Sequence, residues 1–202
     1  MGAIIVRQQA VEVDFDVENW HRTGLYFSRL GMRSTTSSVG LHWTGGEGGA
    51  SQVYRVLKDR RLSVQFFIDY DGTIFQMADA QARAAHIGTE NARCIGIEIA
   101  NRASTKPNAK RPRELYSEKV HGKAFRATYF APAQVASAEK LTRALCKIYG
   151  LPYEAPPTHT VAPKAFLDGF RGVIGHFHVT RRKVDPGVRL LQEIGLLRDN
   201  TI

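Results

Sequence analysis

The segment Gly175–Gly187 concentrates side chains that can bind a metal ion or move a proton. It holds His176, His178, Lys183 and Asp185, and it closes with a Pro-Gly pair. Imidazole nitrogen and carboxylate oxygen are ligands that suit zinc, which in catalytic sites usually has three protein ligands and one position open to water. His176 and Asp185 supply two ligands, so a zinc site here needs a third ligand from elsewhere in the chain.

His42 is the best candidate for that third ligand. It ends the short apolar run 39–42 and is soon followed by glycines, just as His176 follows the apolar run 173–174. Both runs predict buried strands that deliver a histidine at their ends. A single histidine at a strand end is more often a hydrogen-bonded core residue, so the residues alone leave both interpretations open.

Glu98 is notable because it is a carboxylate within the otherwise apolar run 95–99. Alternation along a strand places it on the opposite face from Ile97 and Ile99. Burial of an unpaired carboxylate is costly, so its position needs a reason. One reason is a solvent-facing or edge strand; the other is a general base whose pKa is raised by its site.

Three short motifs follow one another along the chain. They are His42-x-Thr44, then Ile95-Gly96-Ile97-Glu98-Ile99, then Gly175-His176 with Lys183-x-Asp185-Pro186-Gly187. In this order they resemble the zinc-dependent N-acetylmuramoyl-L-alanine amidases, the family that includes T7-type lysozymes, bacterial recycling and autolytic amidases, and animal peptidoglycan-recognition proteins. The resemblance spans residues 42–187 and implies cleavage of the amide bond between N-acetylmuramic acid and L-alanine of peptidoglycan.

The resemblance also implies a role for each motif residue. It makes His42, His176 and Asp185 the ligands of one zinc ion, although T7-type members have a cysteine at the last position. It makes Glu98 the general base and Lys183 the cation that stabilises the oxyanion. The plainer interpretation of Lys183 is a surface lysine in a basic run.

Three further residues are candidates for contact with the substrate. His86 matches a His-x-Gly loop that lies by the groove in relatives. Trp43 follows a predicted ligand and either packs under the site or faces the glycan, with core packing favoured. His178 departs from relatives, which often have an acidic residue there. In an extended segment it would share a face with His176, so it can be a surface, substrate-contacting, supporting or zinc-binding residue. Gln65 is a second departure, because many relatives have histidine there.

Composition limits the classes of protein that fit. The chain has 202 residues, 43% hydrophobic and 23% charged, which predicts a globular domain spanning 1–202. The formal charge of +9 implies attraction to polyanions such as anionic cell-wall polymers, or simply a solubilising surface. No recognised motif supports a specific nucleic-acid partner. A recognition module that binds muropeptide without cutting it remains the alternative in a different class.

Targeting signals are not evident in the sequence. It has no apolar run long enough to span a membrane, and the N-terminus does not resemble a secretory signal. We therefore expect a cytoplasmic protein that is released or exported by other machinery to act on the wall. A phage-lysin role is favoured over a cytoplasmic recycling amidase or an injected effector. The two cysteines, Cys94 and Cys146, are expected to be buried and reduced.

Hydrophobic periodicity predicts an α/β domain with a central mixed sheet flanked by helices. Residues 1–38 are the least readable part, with one short strand near 11–15. Residues 101–131 are expected to form an irregular basic insertion, either beside the substrate groove or as a solvated decoration. The remaining predictions are helices at 51–60, 132–149 and 188–197, a hairpin over 64–77, strands at 39–43, 95–99 and 172–175, and a turn at 162–168.

Overall fold

A computed structural model of the chain describes residues 1–20, 31–102 and 114–198. In chain order its strands are β1 (Gly2–Val6), β2 (Gln9–Val13), β3 (Glu18–Asn19), β4 (Ser38–Trp43), β5 (Phe66–Ile68), β6 (Ile74–Gln76), β7 (Cys94–Ile99), β8 (Leu115–Val120), β9 (Lys123–Thr128) and β10 (Gly172–Gly175). Its helices are α1 (Ala50–Asp59), α2 (Pro132–Tyr149), α3 (Lys164–Gly169) and α4 (Val188–Glu193).

The central sheet has six strands in the spatial order β10-β4-β7-β5-β6-β3. The first four run parallel to one another, β6 is antiparallel to β5, and β3 is parallel to β6. This arrangement confirms the predicted α/β fold with a central mixed sheet. The carboxyl ends of β4, β7 and β10 therefore lie at one edge, where ligand sites of parallel sheets are usually found.

Helices cover both faces of this sheet. On one face, α2 packs Leu141 and Leu145 against the strand residues Leu41, Ile95 and Ile97, in the largest apolar cluster. On the other face, α1 packs Val53 and Leu57 against Phe67 and Phe75. Because side chains alternate along a strand, His42 and Glu98 belong to the α1 face while Leu41 and Ile97 belong to the α2 face.

The two long helices begin and end where the sequence indicates. The N–H of Ala50 at the start of α1 donates to the Asp69 carboxylate at 3.0 Å. Pro132 occupies the first turn of α2, and Gly150 ends that helix in the left-handed conformation at φ 61°. Proline at the start and glycine just after the end is the usual asymmetry of helix ends, which is why 132–149 was predictable.

The prediction of an irregular segment over 101–131 is wrong for residues 115–128. These residues form an antiparallel hairpin, β8 and β9, that turns at His121-Gly122. The alternation of buried Tyr116 and Val120 with exposed Ser117 and Lys119 supports a two-faced strand. The alternation was not recognised in the sequence because many residues of this segment are charged. Residues 103–113 of the predicted insertion lie outside the described part of the chain.

Other local predictions also need correction. The N-terminal segment forms a hairpin, since β1 precedes β2 and Arg7 and Gln8 adopt positive φ at its turn. The predicted turn at 162–168 is the helix α3, and the predicted C-terminal helix ends at Glu193 rather than 197. Helical spacing predicts that Val56 shares the apolar side of α1 with Val53 and Leu57, but Val56 is 43% exposed.

Cys94 and Cys146 are both buried and free, as expected. Burial raises the pKa of the Cys94 thiol to about 12, so it is an unreactive apolar side chain. Within 1–20, 31–102 and 114–198, no helix has the length and apolar character needed to cross a membrane.

Candidate metal centre

Three buried side chains converge at the carboxyl edge of the sheet. His42 lies near the end of β4, and His176 begins a 3₁₀ turn directly after β10. The Nδ1 atoms of His42 and His176 are 3.0 Å apart, and each lies 3.1 Å from Oδ2 of Asp185. The N–H of Phe177 donates to the Asp185 carbonyl at 3.1 Å, which fixes the loop that carries two of the three residues.

The arrangement fits a zinc ion. A tetrahedral zinc with bonds of about 2.0–2.1 Å holds its ligand atoms roughly 3.3 Å apart, close to the spacing among these three atoms. Burial lowers the pKa of His42, which favours the neutral imidazole. Burial alone would raise the pKa of Asp185, but the neighbouring imidazoles of His176 and His42 outweigh it and lower that pKa. Neutral imidazoles and an ionised carboxylate are the forms that bind metal.

Glu98 lies on the same face of the sheet as His42. The two residues are direct partners in the β4–β7 register, and both line the same pocket together with His176 and Asp185. Burial, and then the nearby charge of Asp185, raise the pKa of Glu98 from 4.5 to about 8. The alternative of an edge strand does not apply, because β7 is hydrogen-bonded to β4 on one side and β5 on the other.

Lys183 lines the same pocket from the loop that carries Asp185. Its N–H donates to the carbonyl of Thr180 at 3.2 Å, so a turn precedes it. Its carbonyl lies 2.9 Å from Nε2 of His121 at the tip of the β8–β9 hairpin. The hairpin is thus in direct contact with the loop that presents the lysine.

His86 lines the pocket, but its ring nitrogens face protein atoms. Nδ1 is 2.9 Å from Nε2 of His42, and Nε2 is 3.4 Å from the carbonyl of Cys94. Asn91 accepts hydrogen bonds from the backbone N–H groups of His86 and Ile87, which is a structural role. The predicted substrate contact of His86 stays a prediction, and its contact with His42 was not predicted.

His178 is buried, whereas the sequence favoured a surface or substrate-contacting position. Its side chain is fully buried, with Nδ1 accepting from the N–H of Gly175 at 3.0 Å and Nε2 facing the carbonyl of Thr158 at 3.0 Å. The predictions of a surface residue or a substrate contact are therefore wrong. The cause is the 3₁₀ turn after β10, because the extended segment assumed for His176 to His178 would have put both on one face.

Packing and hydrogen bonding explain the positions of Trp43 and Gln65. Trp43 is 7% exposed and packs against Phe125 and Phe130, so core packing is the interpretation that the structure supports, although one edge also reaches the pocket. Gln65, where relatives often have histidine, is buried. Its amide donates to the Ala82 carbonyl and accepts from the Gly96 N–H, so it links the segment at Ala82 to β7.

Helix α1 supplies pocket residues that the sequence analysis missed. Gln52 and Val56 of α1, and Arg60 directly after it, line the pocket. Nothing in the sequence marks these residues, because Val56 fits the apolar side of the helix and Gln52 and Arg60 resemble ordinary solvent-facing side chains.

Comparisons with known proteins give a consistent family and fold. The family model for N-acetylmuramoyl-L-alanine amidases matches residues 32–188. No curated protein sequence matches the chain. Among solved structures, the chain is similar to the endolysin amidase LysCS from Clostridium intestinale URNW, with a TM-score of 0.55 and 17% identity over 90% of this chain and 96% of that one.

Two further solved structures share the fold. The Ph2119 endolysin from a Thermus scotoductus MAT2119 bacteriophage has a TM-score of 0.56 and 14% identity, covering 89% of this chain and 99% of that one. The Drosophila peptidoglycan recognition protein SA has a TM-score of 0.50 and 16% identity, covering 83% and 86%. At these identities the likeness establishes the fold.

Proposed function

Since the chain belongs to the N-acetylmuramoyl-L-alanine amidase family, we propose that it is a zinc-dependent peptidoglycan hydrolase with a lytic role. The bond cleaved joins the lactyl group of N-acetylmuramic acid to L-alanine of the stem peptide. The single observation that carries the zinc assignment is the convergence of His42, His176 and Asp185, whose ligand atoms lie within 4.8 Å of one another.

Each residue has a role that its position supports. When bound, zinc supplies Lewis-acid chemistry to a scissile carbonyl and to water. Glu98 accepts a proton from the attacking water and delivers it to the nitrogen of L-alanine as the C–N bond breaks. Lys183 donates hydrogen bonds to the oxyanion that develops on the carbonyl oxygen. The products are a lactyl carboxylate and a peptide with a free amino terminus.

Digestion of purified peptidoglycan tests this proposal directly. Mass spectrometry should find intact glycan strands and peptides that begin with a free L-alanine. Glu98→Gln protein is the control for contaminating hydrolases. New reducing sugar ends, without peptides whose L-alanine has a free amino group, would instead indicate a glycosidase.

A recognition module that binds peptidoglycan without cutting it is the second candidate, because one structural neighbour is named a recognition protein. Against it, the three ligand candidates, Glu98 and Lys183 line one pocket. Co-sedimentation with peptidoglycan and no released peptide, in protein shown to contain zinc, would favour the module. Release of the peptide only from soluble muropeptides would favour a recycling amidase over a lytic one.

Lys183→Met should lower kcat by about 10²–10³-fold, the usual cost of losing one oxyanion donor. The stem of the side chain remains, so zinc content and peptidoglycan binding should stay unchanged. Arg182→Met removes the same charge from the neighbouring position, which does not line the pocket, and should keep near-normal turnover of a soluble muropeptide. Equal losses in the two variants would mean that general charge, rather than the position of Lys183, matters.

A basic surface beside the pocket supports attraction to anionic cell-wall polymers. It consists of Lys119, Lys123 and Arg126 on the β8–β9 hairpin and Arg181 and Arg182 on the loop before Asp185, all exposed. None of them forms an ion pair with another residue in the described ranges. The contact between the hairpin tip and this loop brings the two groups of cations together.

Lys119→Gln/Arg126→Gln should weaken binding to whole cell walls and reduce its salt dependence. Exposed charges are screened beyond about 10 Å at about 0.1 M salt, so wild-type binding should fall as salt is added. Lys140→Gln/Lys147→Gln, with the same charge change on α2, should bind walls nearly as wild type does. Turnover of a soluble muropeptide should be unaffected in both. Equal loss of wall binding in the two double variants would contradict a localised surface.

A further inference from the structure

We propose that His86 is a positioning residue that fixes the tautomer of His42, so that Nδ1 of His42 presents its lone pair to the metal. The proposal rests on the zinc site proposed above. It concerns a residue outside the ligand set, and the role is different from the substrate contact predicted from the sequence.

The hydrogen bonds of His86 determine where the protons lie. A neutral imidazole has one donor and one acceptor nitrogen. The carbonyl of Cys94, 3.4 Å from Nε2, can only accept, so Nε2 of His86 carries the proton. Nδ1 of His86 must then accept from Nε2 of His42, 2.9 Å away.

The consequence reaches the metal centre. Because Nε2 of His42 then carries a proton, Nδ1 of His42 carries none, and its lone pair is free to bind the proposed metal ion together with His176 and Asp185. Metal-binding histidines usually donate their other N–H to a carboxylate, a carbonyl or water, and this partner fixes the ring orientation. In this chain the partner is a second imidazole, backed by a backbone carbonyl.

The sheet is shaped to accommodate the His86 ring. Gly40 of β4 and Gly96 of β7 are direct register partners, so two adjacent strands lack side chains at the same level. A Cβ atom added at Gly96 would lie 2.8 Å from Nδ1 of His86, and one at Gly40 would lie 3.5 Å from its Cε1 and 2.7 Å from Sγ of Cys94. Neither glycine has a positive φ, so space rather than backbone conformation requires them.

The backbone of the loop is held as firmly as the ring. Asn91 accepts from two successive N–H groups, those of His86 and Ile87, at 3.0 and 2.8 Å. Ile87 is fully buried in a cluster with Cys94 and Ile174. The ring is thus constrained by its backbone, by the glycine pair and by both of its nitrogens, which is the arrangement that a positioning residue needs.

A pair of variants of equal shape isolates the hydrogen bond. His86→Leu removes the acceptor for His42, whereas His86→Asn has the same branching and can place its amide oxygen where Nδ1 was. The zinc dissociation constant, measured by competition with a chelating dye, should rise about 10–100-fold in His86→Leu, as for other lost partners of metal-binding histidines. His86→Asn should recover most of that loss. Equal dissociation constants in the two variants would overturn the proposal.

Gly96→Ala provides an independent variant that leaves every polar group in place. Its methyl group should displace the His86 ring and weaken zinc binding in the same direction as His86→Leu. Gly169→Ala is the matched control, because a Cβ at Gly169 meets nothing within 4 Å. Unchanged zinc affinity in a folded Gly96→Ala protein would argue against the positioning role.

The tautomer itself can be measured in protein prepared without zinc, which separates this proposal from the proposed function. Imidazole ¹⁵N shifts should show His42 protonated at Nε2 in wild type and in His86→Asn, and a mixture of tautomers in His86→Leu. A wild-type His42 protonated at Nδ1 would refute the role of His86 even if the enzyme is an active zinc amidase. The Nε2 tautomer in a protein that fails to bind zinc would support it while the metal assignment fails.

Discussion

Glu98→Gln protein should retain zinc and bind peptidoglycan but lose at least about a hundredfold in kcat. General acid–base assistance typically contributes about 10²–10⁴-fold, and glutamine keeps the shape of the side chain without its basicity. Among the described residues, Glu98 is the carboxylate that lines the pocket on the same sheet face as His42. The measurement is kcat on a defined muropeptide, with zinc content checked for each protein.

The pH profile should change in shape as well as height. In wild type, kcat should rise with pH as Glu98 loses its proton, and the midpoint should lie above the ordinary glutamate range because burial and Asp185 raise this pKa. This acid limb should disappear in Glu98→Gln and remain in Lys183→Met. A Glu98→Gln enzyme within tenfold of wild type would assign the base role to another group.

The same raised pKa has a consequence for stability in protein prepared without zinc. The pKa of Glu98 is about 8 in the folded protein and ordinarily 4.5, so folding favours the protonated side chain. The resulting contribution to stability is fully present at pH values below the ordinary pKa. That contribution is lost as pH rises through the folded-state value. Glu98→Gln should therefore unfold at a higher temperature than wild type at pH 9 and show a smaller difference at pH 5.

His42→Ala should abolish both zinc binding and hydrolysis while most of the fold persists. Two of the three proposed ligands remain, but neither the coordination set nor its geometry is complete without a nitrogen from β4. The sheet should survive because the α2-face cluster that includes Leu41 and Ile97 does not involve His42. Elemental analysis measures the metal, and circular dichroism checks the fold.

His178→Asn is the matched control for that variant. It also removes a buried imidazole from this part of the protein, but it keeps an acceptor for the N–H of Gly175. It should retain stoichiometric zinc and at most a partly reduced rate. Full zinc in His42→Ala, or loss of zinc in His178→Asn, would show that the wrong histidine was assigned.

The site was largely predictable because its residues interrupt regular patterns. His42 and His176 follow apolar runs, and Glu98 breaks one, so each position needed an explanation other than core packing. The family resemblance then supplied an order for motifs that are far apart in the sequence. The central sheet was predictable for a related reason, since its strands are short, apolar and bounded by glycines.

The remaining features depend on contacts that a sequence does not contain. Whether His178 faces the proposed metal site depends on a single 3₁₀ turn after β10, which the spacing of the two histidines does not reveal. The partnership of His86 with His42 requires that Gly40 and Gly96 lie side by side, which only strand register determines. The β8–β9 hairpin was obscured because its exposed face is rich in lysine and arginine, which strands usually contain less often.

The large separation in sequence between His42 and Asp185 determines when, during synthesis of the chain, the proposed metal site can form. These two residues are 143 positions apart. During translation the central strands can leave the ribosome and begin to pair long before the last ligand has been made. A growing chain therefore cannot bring the three proposed ligands together until Asp185 has emerged from the ribosome, and products that end before Asp185 would lack one of them.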